Sequence, residues 1–183
     1  PAIWPRRPRW DCPVCGYRGP FKNKHTRRYQ HRRYSYKCPC CGANERARLQ
    51  YLALRQALGE RRLHSALHIA PEPVIARFLK TLTDTYISAD LLREDLDCRF
   101  DIQAIPFADR SFDLVYASHV LVYAQDDHQA IAEIHRVLRP GGLAVLPMPI
   151  LHEKSRDPGG PAVPIGRLSR AFPAPRPYPL PDR

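Results

Sequence analysis

Between residues 44 and 149 the apolar positions switch repeatedly between a helical period and short continuous runs. Residues 44–58 set Leu49, Leu52, Ala53 and Gln56 at helical spacing, and Gly59 stops the run. Residues 64–70 (HSALHIA) are a short apolar run ending at Pro71, the pattern of a buried strand. Helical period returns over 72–82, with Val74, Ile75, Phe78, Leu79 and Leu82 on one side. Residues 85–90 (TYISAD) predict a second strand, 99–102 a short third, and 112–118 (FDLVYAS) a strongly apolar fourth. A helix is predicted over 126–138, opened by two acids that suit a helix N-terminus, with Ile131, Ile134, Val137 and Leu138 on its apolar face. Pro140-Gly141-Gly142 breaks it, and 143–149 (LAVLPMP) predicts a fifth strand. Alternation of this kind predicts an α/β fold with a mostly parallel sheet covered on both faces.

The flanks read differently. Residues 1–10 are Pro- and Arg-rich and predict a disordered arm. Residues 11–44 hold most of the cysteines, and the helix over 45–60 connects this module to the α/β domain at 64–150. Residues 151–183 carry eight prolines without a strand or helix period, so an extended tail is expected.

Charge sharpens the division. The net charge is +11, and residues 1–50 hold thirteen Lys/Arg against Asp11 and Glu45 alone, which leaves 51–183 neutral. A field so concentrated suits RNA or another polyanion as partner, and equally a solvated basic face. No run approaches the roughly 18–20 apolar residues of a membrane span, and no signal-peptide pattern opens the chain. A soluble, cytoplasmic protein is expected.

Cys12-Pro-Val-Cys15-Gly16 and Cys38-Pro-Cys-Cys41-Gly42 repeat one pattern, C-P-x-C-G. Cys12, Cys15, Cys38 and Cys41 are thus expected to supply the four thiolates of a tetrahedral, structural zinc site in a zinc ribbon. Choosing Cys40 spoils the repeated register, and His25 and His31 are expected as loop residues. Disulfides are the alternative, but they need an oxidising compartment. Cys98 stands alone and is expected to be a small buried apolar residue. Aromatics and cations interleave between the two knuckles, which fits either nucleic-acid contact or a small ribbon core.

The stretch from Ser65 to Met148 resembles the first five strands of a class I S-adenosylmethionine-dependent methyltransferase, a Rossmann-like fold. The resemblance rests on TYISAD, DIQAIPFADRSFDLVYASHVL and EIHRVLRPGGLAVL, in that order and spacing. The whole of 11–150 is similar to bacterial methyltransferase-domain proteins with an N-terminal C-P-x-C-G pair. In those proteins, as in CPCCGANERARLQYLAL here, Glu-Arg and a helix follow the second knuckle, and the first strand reads Leu-His-Ile-Ala-Pro-Glu.

The resemblance implies S-adenosylmethionine as cofactor, held beyond the carboxyl ends of the strands. It implies contacts from His68, Ala70, Pro71 and Glu72 at the first strand and turn. Asp90, about 20 residues further on, is placed for the ribose hydroxyls. The family's adenine position falls on Asp101 and Ile102, and Ser118 and His119 come near the methyl sulfonium. Two departures stand out. The first loop, usually glycine-rich, is Ala70-Pro71-Glu72, and Val122-Tyr123 replaces the usual Glu-His. The family also closes its sheet with two further strands, which the Pro-rich tail does not supply. The fifth strand is therefore expected as an exposed edge, and the tail reads like a wrong-frame or truncated product. Two functions are left open: a methyltransferase with an unassigned acceptor and no evident general base, and a non-catalytic zinc-ribbon protein that binds nucleic acid.

Overall fold

The computed structural model describes residues 8–25 and 32–148, with backbone alone at 25, 32 and 33. Most of the N-terminal arm, His31 and the Pro-rich tail lie outside the described residues, as does the side chain of His25. The described residues divide into two compact units, those up to 61 together with 72–78, and 62–71 together with 79–148.

In the first unit, β1 (Trp10–Asp11) pairs antiparallel with β2 (Arg18–Gly19), and β3 (Lys22–His25) with β4 (Arg32–Lys37). Helix α1 (Glu45–Leu58) starts at Asn44, whose side chain accepts the Ala47 N–H at 2.8 Å, and ends at Gly59. Its face is not the expected one. Ala47, Gln50, Leu54 and Leu58 are buried, whereas Leu49 and Leu52 are 69% and 47% exposed. Cys12, Phe21, Cys38, Ala43 and Ala47 form a small core together with Val74, and Tyr51 meets Phe78 edge-on with ring centroids 4.7 Å apart.

The second unit is built on a five-stranded parallel sheet. Its strands are β5 (Leu63–Ile69), β6 (Thr83–Asp90), β7 (Cys98–Arg99), β8 (Phe112–Ala117) and β9 (Leu138–Val145), in the order β7-β6-β5-β8-β9. Helix α2 (Pro73–Leu82) runs directly into β6, and α3 (Asp127–Val137) directly into β9. The second and fifth strands therefore start earlier than expected, and the third is shorter. Leu67, Ile69, Phe112, Val115, Ala117, Ile134 and Val137 belong to one buried cluster, which also takes in Cys98, 7% exposed. Ile131, expected on the apolar face of α3, is 46% exposed, and Ala130 occupies the buried position instead. Among the described residues, no helix is long and apolar enough to cross a membrane.

Polar side chains fix the loops of this unit. Arg136 donates to Glu133 at 2.7 Å, to Asp109 at 2.8 Å, and to the carbonyls of Ile105 and Phe107 at 2.8 Å each, while Glu133 accepts the Ile105 N–H. The Ile105-Pro-Phe107 turn is thereby bound to α3, which gives a physical reason for the pairing of the two sequence motifs. Gly142 lies where a β-carbon would stand 2.9 Å from the Arg139 carbonyl oxygen and 3.2 Å from that of Asp113, so the β8–β9 pairing requires glycine there.

Asp113 accepts the backbone N–H groups of His64 and Ser65 at 2.8 and 2.9 Å, and Arg139 at 3.0 Å. Burial alone raises its pKa, but these donors outweigh it and hold the carboxyl below its ordinary range. Asp113→Ala strands those donors and is expected to cost about 2–4 kcal/mol, at roughly 1–3 kcal/mol per unmade buried hydrogen bond. A lower urea midpoint at pH 7 measures it. Because the folded pKa is depressed, the contribution is present above about pH 4 and disappears as pH falls through the folded value.

Candidate cofactor cavity and metal centre

The parallel sheet reverses its strand order between β5 and β8, and a crevice opens beyond the carboxyl ends of the strands at such a point. A cavity of about 390 Å³ lies there. That size falls within the roughly 300–1,000 Å³ of small-molecule sites. Ala70 follows β5, Asp90 ends β6, Asp101 and Ile102 follow β7, and His119 follows β8; all five line the cavity. Ile69, Leu91, Leu92, Phe100, Gln103, Val120, Tyr123, Ala124 and Gln125 complete it.

Two turns bring backbone to this cavity in the left-handed region. Ala70 has φ +52° and His119 φ +56°. The Ala70 N–H donates to the Ala89 carbonyl at 2.8 Å, and that of His119 to Pro147 at 2.9 Å. The first loop thus keeps a glycine-like conformation without glycine, at a cost of about 1–2 kcal/mol for an L-residue.

Asp90 Oδ1 accepts the backbone N–H of Leu92 at 2.8 Å and of Arg93 at 3.2 Å. This holds the carboxylate at the strand end with its second oxygen available to a ligand. Asp101 is engaged more fully. Gln103 donates its backbone N–H to Oδ1 at 2.9 Å and its side-chain amide to both oxygens at 3.1 Å. The Gln103 Oε1 in turn accepts the Asp126 N–H at 2.8 Å, where α3 begins. Gln103 therefore couples the acid to the helix start. It was missed in the sequence because a glutamine inside a loop motif carries no periodic signature.

His68, Pro71, Glu72 and Ser118 are not among the lining residues. His68 is fully buried within β5, its Nδ1 2.9 Å from the Tyr86 hydroxyl and its ring edge-on to Tyr116. Glu72 pairs with Arg46 at 3.2 Å, the Pro71 carbonyl accepts from Arg93 at 3.5 Å, and Ser118 is buried. The alternation of strand side chains explains His68: it points to the opposite face from Leu67 and Ile69. Burial lowers its pKa to about 3. The unfolded chain therefore binds a proton that the fold refuses between about pH 6.5 and pH 3, and stability falls on acidification by up to about 1.4 kcal/mol per unit. His68→Gln is expected to flatten that slope. Urea midpoints at pH 7 and pH 4.5 for both proteins measure it; equal slopes would refute the assignment.

In the first unit, the sulfur atoms of Cys12, Cys15, Cys38 and Cys41 all lie within 4.8 Å of one another. Cys12 and Cys41 are 3.6 Å apart, and Cys15 and Cys38 3.7 Å. Sulfurs bound to zinc at about 2.3 Å in a tetrahedron stand about 3.8 Å apart. The two knuckles share one geometry. Gly16 and Gly42 have φ +72° and +78°, and each donates its N–H to the carbonyl of the first cysteine, at 2.9 and 3.1 Å. Backbone N–H groups of Val14 and Cys15 face the Cys12 sulfur, that of Tyr17 faces Cys15 and that of Ala43 faces Cys41, all favouring thiolate. Burial opposes this and, with the neighbouring sulfurs, pushes the Cys41 thiol up to about 12. The donor set fits a thiophilic divalent cation, which removes that conflict. All six cysteines are free thiols, and Cys40 is exposed and outside the cluster.

A family model described as a methyltransferase domain matches residues 68–146. Over residues 68–146 the chain is thus similar to class I methyltransferase domains. The chain is similar to malonyl-[acyl-carrier protein] O-methyltransferase 1 of Coxiella burnetii, 50% identical over 40 residues, covering 22% of this chain and 14% of that protein. It is also similar to malonyl-[acyl-carrier protein] O-methyltransferase of Pseudescherichia vulneris, 41% identical over 59 residues, covering 29% of this chain and 24% of that protein. The chain therefore spans less than a quarter of the length of these curated relatives. Among solved structures it is similar to an S-adenosylmethionine-dependent methyltransferase from Mesorhizobium loti, with 24% identity, a TM-score of 0.43, and coverage of 53% of this chain and 52% of that one.

Proposed function

We propose that the methyltransferase domain binds S-adenosylmethionine in the 390 Å³ cavity and transfers its methyl group to an acceptor, while a structural zinc ion holds the ribbon. The observation that carries this is the convergence of Asp90 and Asp101, from the ends of neighbouring strands, on one apolar cavity at the strand-order reversal. Asp90 would take the ribose hydroxyls through its unshared oxygen. Asp101, steadied by Gln103, would face the adenine amine, with Ile102 and Phe100 against the ring. The bound cofactor supplies an electrophilic methyl group on a sulfonium. Ala70 and His119 let backbone approach that end of the cavity. Val122 and Tyr123 provide no acid–base pair, so the domain acts by holding reactants in line, a proximity effect. The matched stretch of the acyl-carrier relatives is too short to bring their acceptor to this chain.

Thermal denaturation with and without S-adenosylhomocysteine tests the binding. A ligand at about 100 times its dissociation constant stabilises the fold by roughly 2.7 kcal/mol, so a rise of several degrees is expected. An unchanged midpoint at millimolar ligand contradicts the reading.

A further inference from the structure

The ribbon carries a second recessed surface that methyl transfer does not use. Trp10, Phe21, Tyr34 and Tyr36 line a cleft of about 450 Å³. Tyr34 is 70% exposed and Trp10 49%, although both are large and apolar enough to be buried at a gain. Trp10 is held in place, as is the backbone next to Tyr34. Trp10 Nε1 donates to the Ser35 hydroxyl at 2.9 Å, and Ser35 itself has φ +50° with its N–H bonded to the Asn23 side chain. Arg48 stacks over Phe21 at 4.7 Å while donating to the Tyr36 and Ala43 carbonyls, and Lys24 lies 4.9 Å from the Tyr36 ring.

In the hairpin beside the cleft the backbone register sets Lys22 opposite Lys37 and Lys24 opposite Arg33, basic residue against basic residue. Like charges directly across an antiparallel pair destabilise it. A surface selected for stability alone intersperses the two signs. Asp11 and Glu45 also line the cleft, but Asp11 already pairs with Arg18 at 2.9 Å. The register therefore keeps a repulsion that an anionic chain lying along β3 and β4 relieves.

From the cation ladder and the exposed rings together, we infer that the ribbon binds single-stranded nucleic acid, phosphates along the β3–β4 hairpin and an unpaired base against Tyr34 and Trp10. An acidic protein satisfies the ladder but leaves the rings unused. A duplex hides its base faces from the rings. The inference stands whether or not the second unit binds S-adenosylmethionine.

Fluorescence anisotropy of a labelled twelve-nucleotide oligouridylate with the zinc-loaded full chain tests it. Affinity should fall steeply with salt, and Lys24→Ala should reduce the log–log slope by about 0.7, the loss of one phosphate contact. Tyr34→Ala should weaken binding about tenfold at unchanged slope and unchanged zinc content, and Tyr34→Phe should restore it, because stacking needs the ring and not the hydroxyl. A duplex of the same length and polyglutamate should compete poorly. Equal competition by polyglutamate or duplex overturns the proposal, as does Tyr34→Ala binding like the parent, or no binding at low salt.

Discussion

Cys41→Ser is expected to release the metal and unfold the ribbon, whereas Cys40→Ser should leave both intact. The two residues are neighbours in the chain, so the contrast isolates geometry from composition. The Cys41 sulfur lies 3.6 Å from that of Cys12 inside the four-sulfur cluster, and Cys40 is exposed outside it. The small core over this cluster contains Cys12, Phe21, Cys38, Ala43, Ala47 and Val74, too few apolar groups to order the loops alone. Structural zinc contributes on the order of 10–16 kcal/mol to such modules, so its loss exceeds any packing the ribbon can retain. Metal analysis should give about one zinc per chain for the parent and for Cys40→Ser, and none for Cys41→Ser. Limited proteolysis should cut the first unit of the Cys41 variant rapidly. Retained zinc in that variant would remove the assignment.

Asp90→Ala is expected to weaken cofactor binding by about a hundredfold or more. On the proposed reading, two charge-assisted hydrogen bonds to ribose would be lost, each contributing about 1.5–3 kcal/mol. The same change releases the Leu92 and Arg93 N–H groups that Asp90 caps, so the adjoining loop loosens as well. Asp90→Asn separates these effects. Its amide oxygen can still cap Leu92, so thermal stability should stay near the parent while affinity falls. If both variants bind like the parent, the cavity is not the cofactor site.

The parts of this protein most legible in the sequence were those with a local cause. Two C-P-x-C-G repeats named all four clustered sulfurs and set Cys40 aside, because a shared turn geometry leaves a shared spacing. The five strands and three main helices were likewise readable from periodicity and from Pro and Gly stops. Errors came where tertiary packing overrode the pattern. In α1 the buried face holds Ala47 and Gln50, and the exposed Leu49 and Leu52 drew the expected face away from it. The start of β9 was hidden because Leu138–Gly142 reads as a helix end and breaker, yet it pairs with β8 across an irregular register. In the cavity, Ala70, Asp90, Asp101, Ile102 and His119 came together, while His68 turned to the opposite face and Gln103 went unread. The first loop lacks glycine, yet Ala70 adopts the left-handed conformation that glycine reaches most readily.

The role proposed for the cavity at the strand-order reversal is to hold S-adenosylmethionine. Isothermal titration of the zinc-loaded protein with S-adenosylmethionine tests it most directly. Saturable heat with one site per chain is expected from the parent and none from Asp90→Ala. A folded, monodisperse sample that gives no heat, or equal heat from parent and variant, contradicts it.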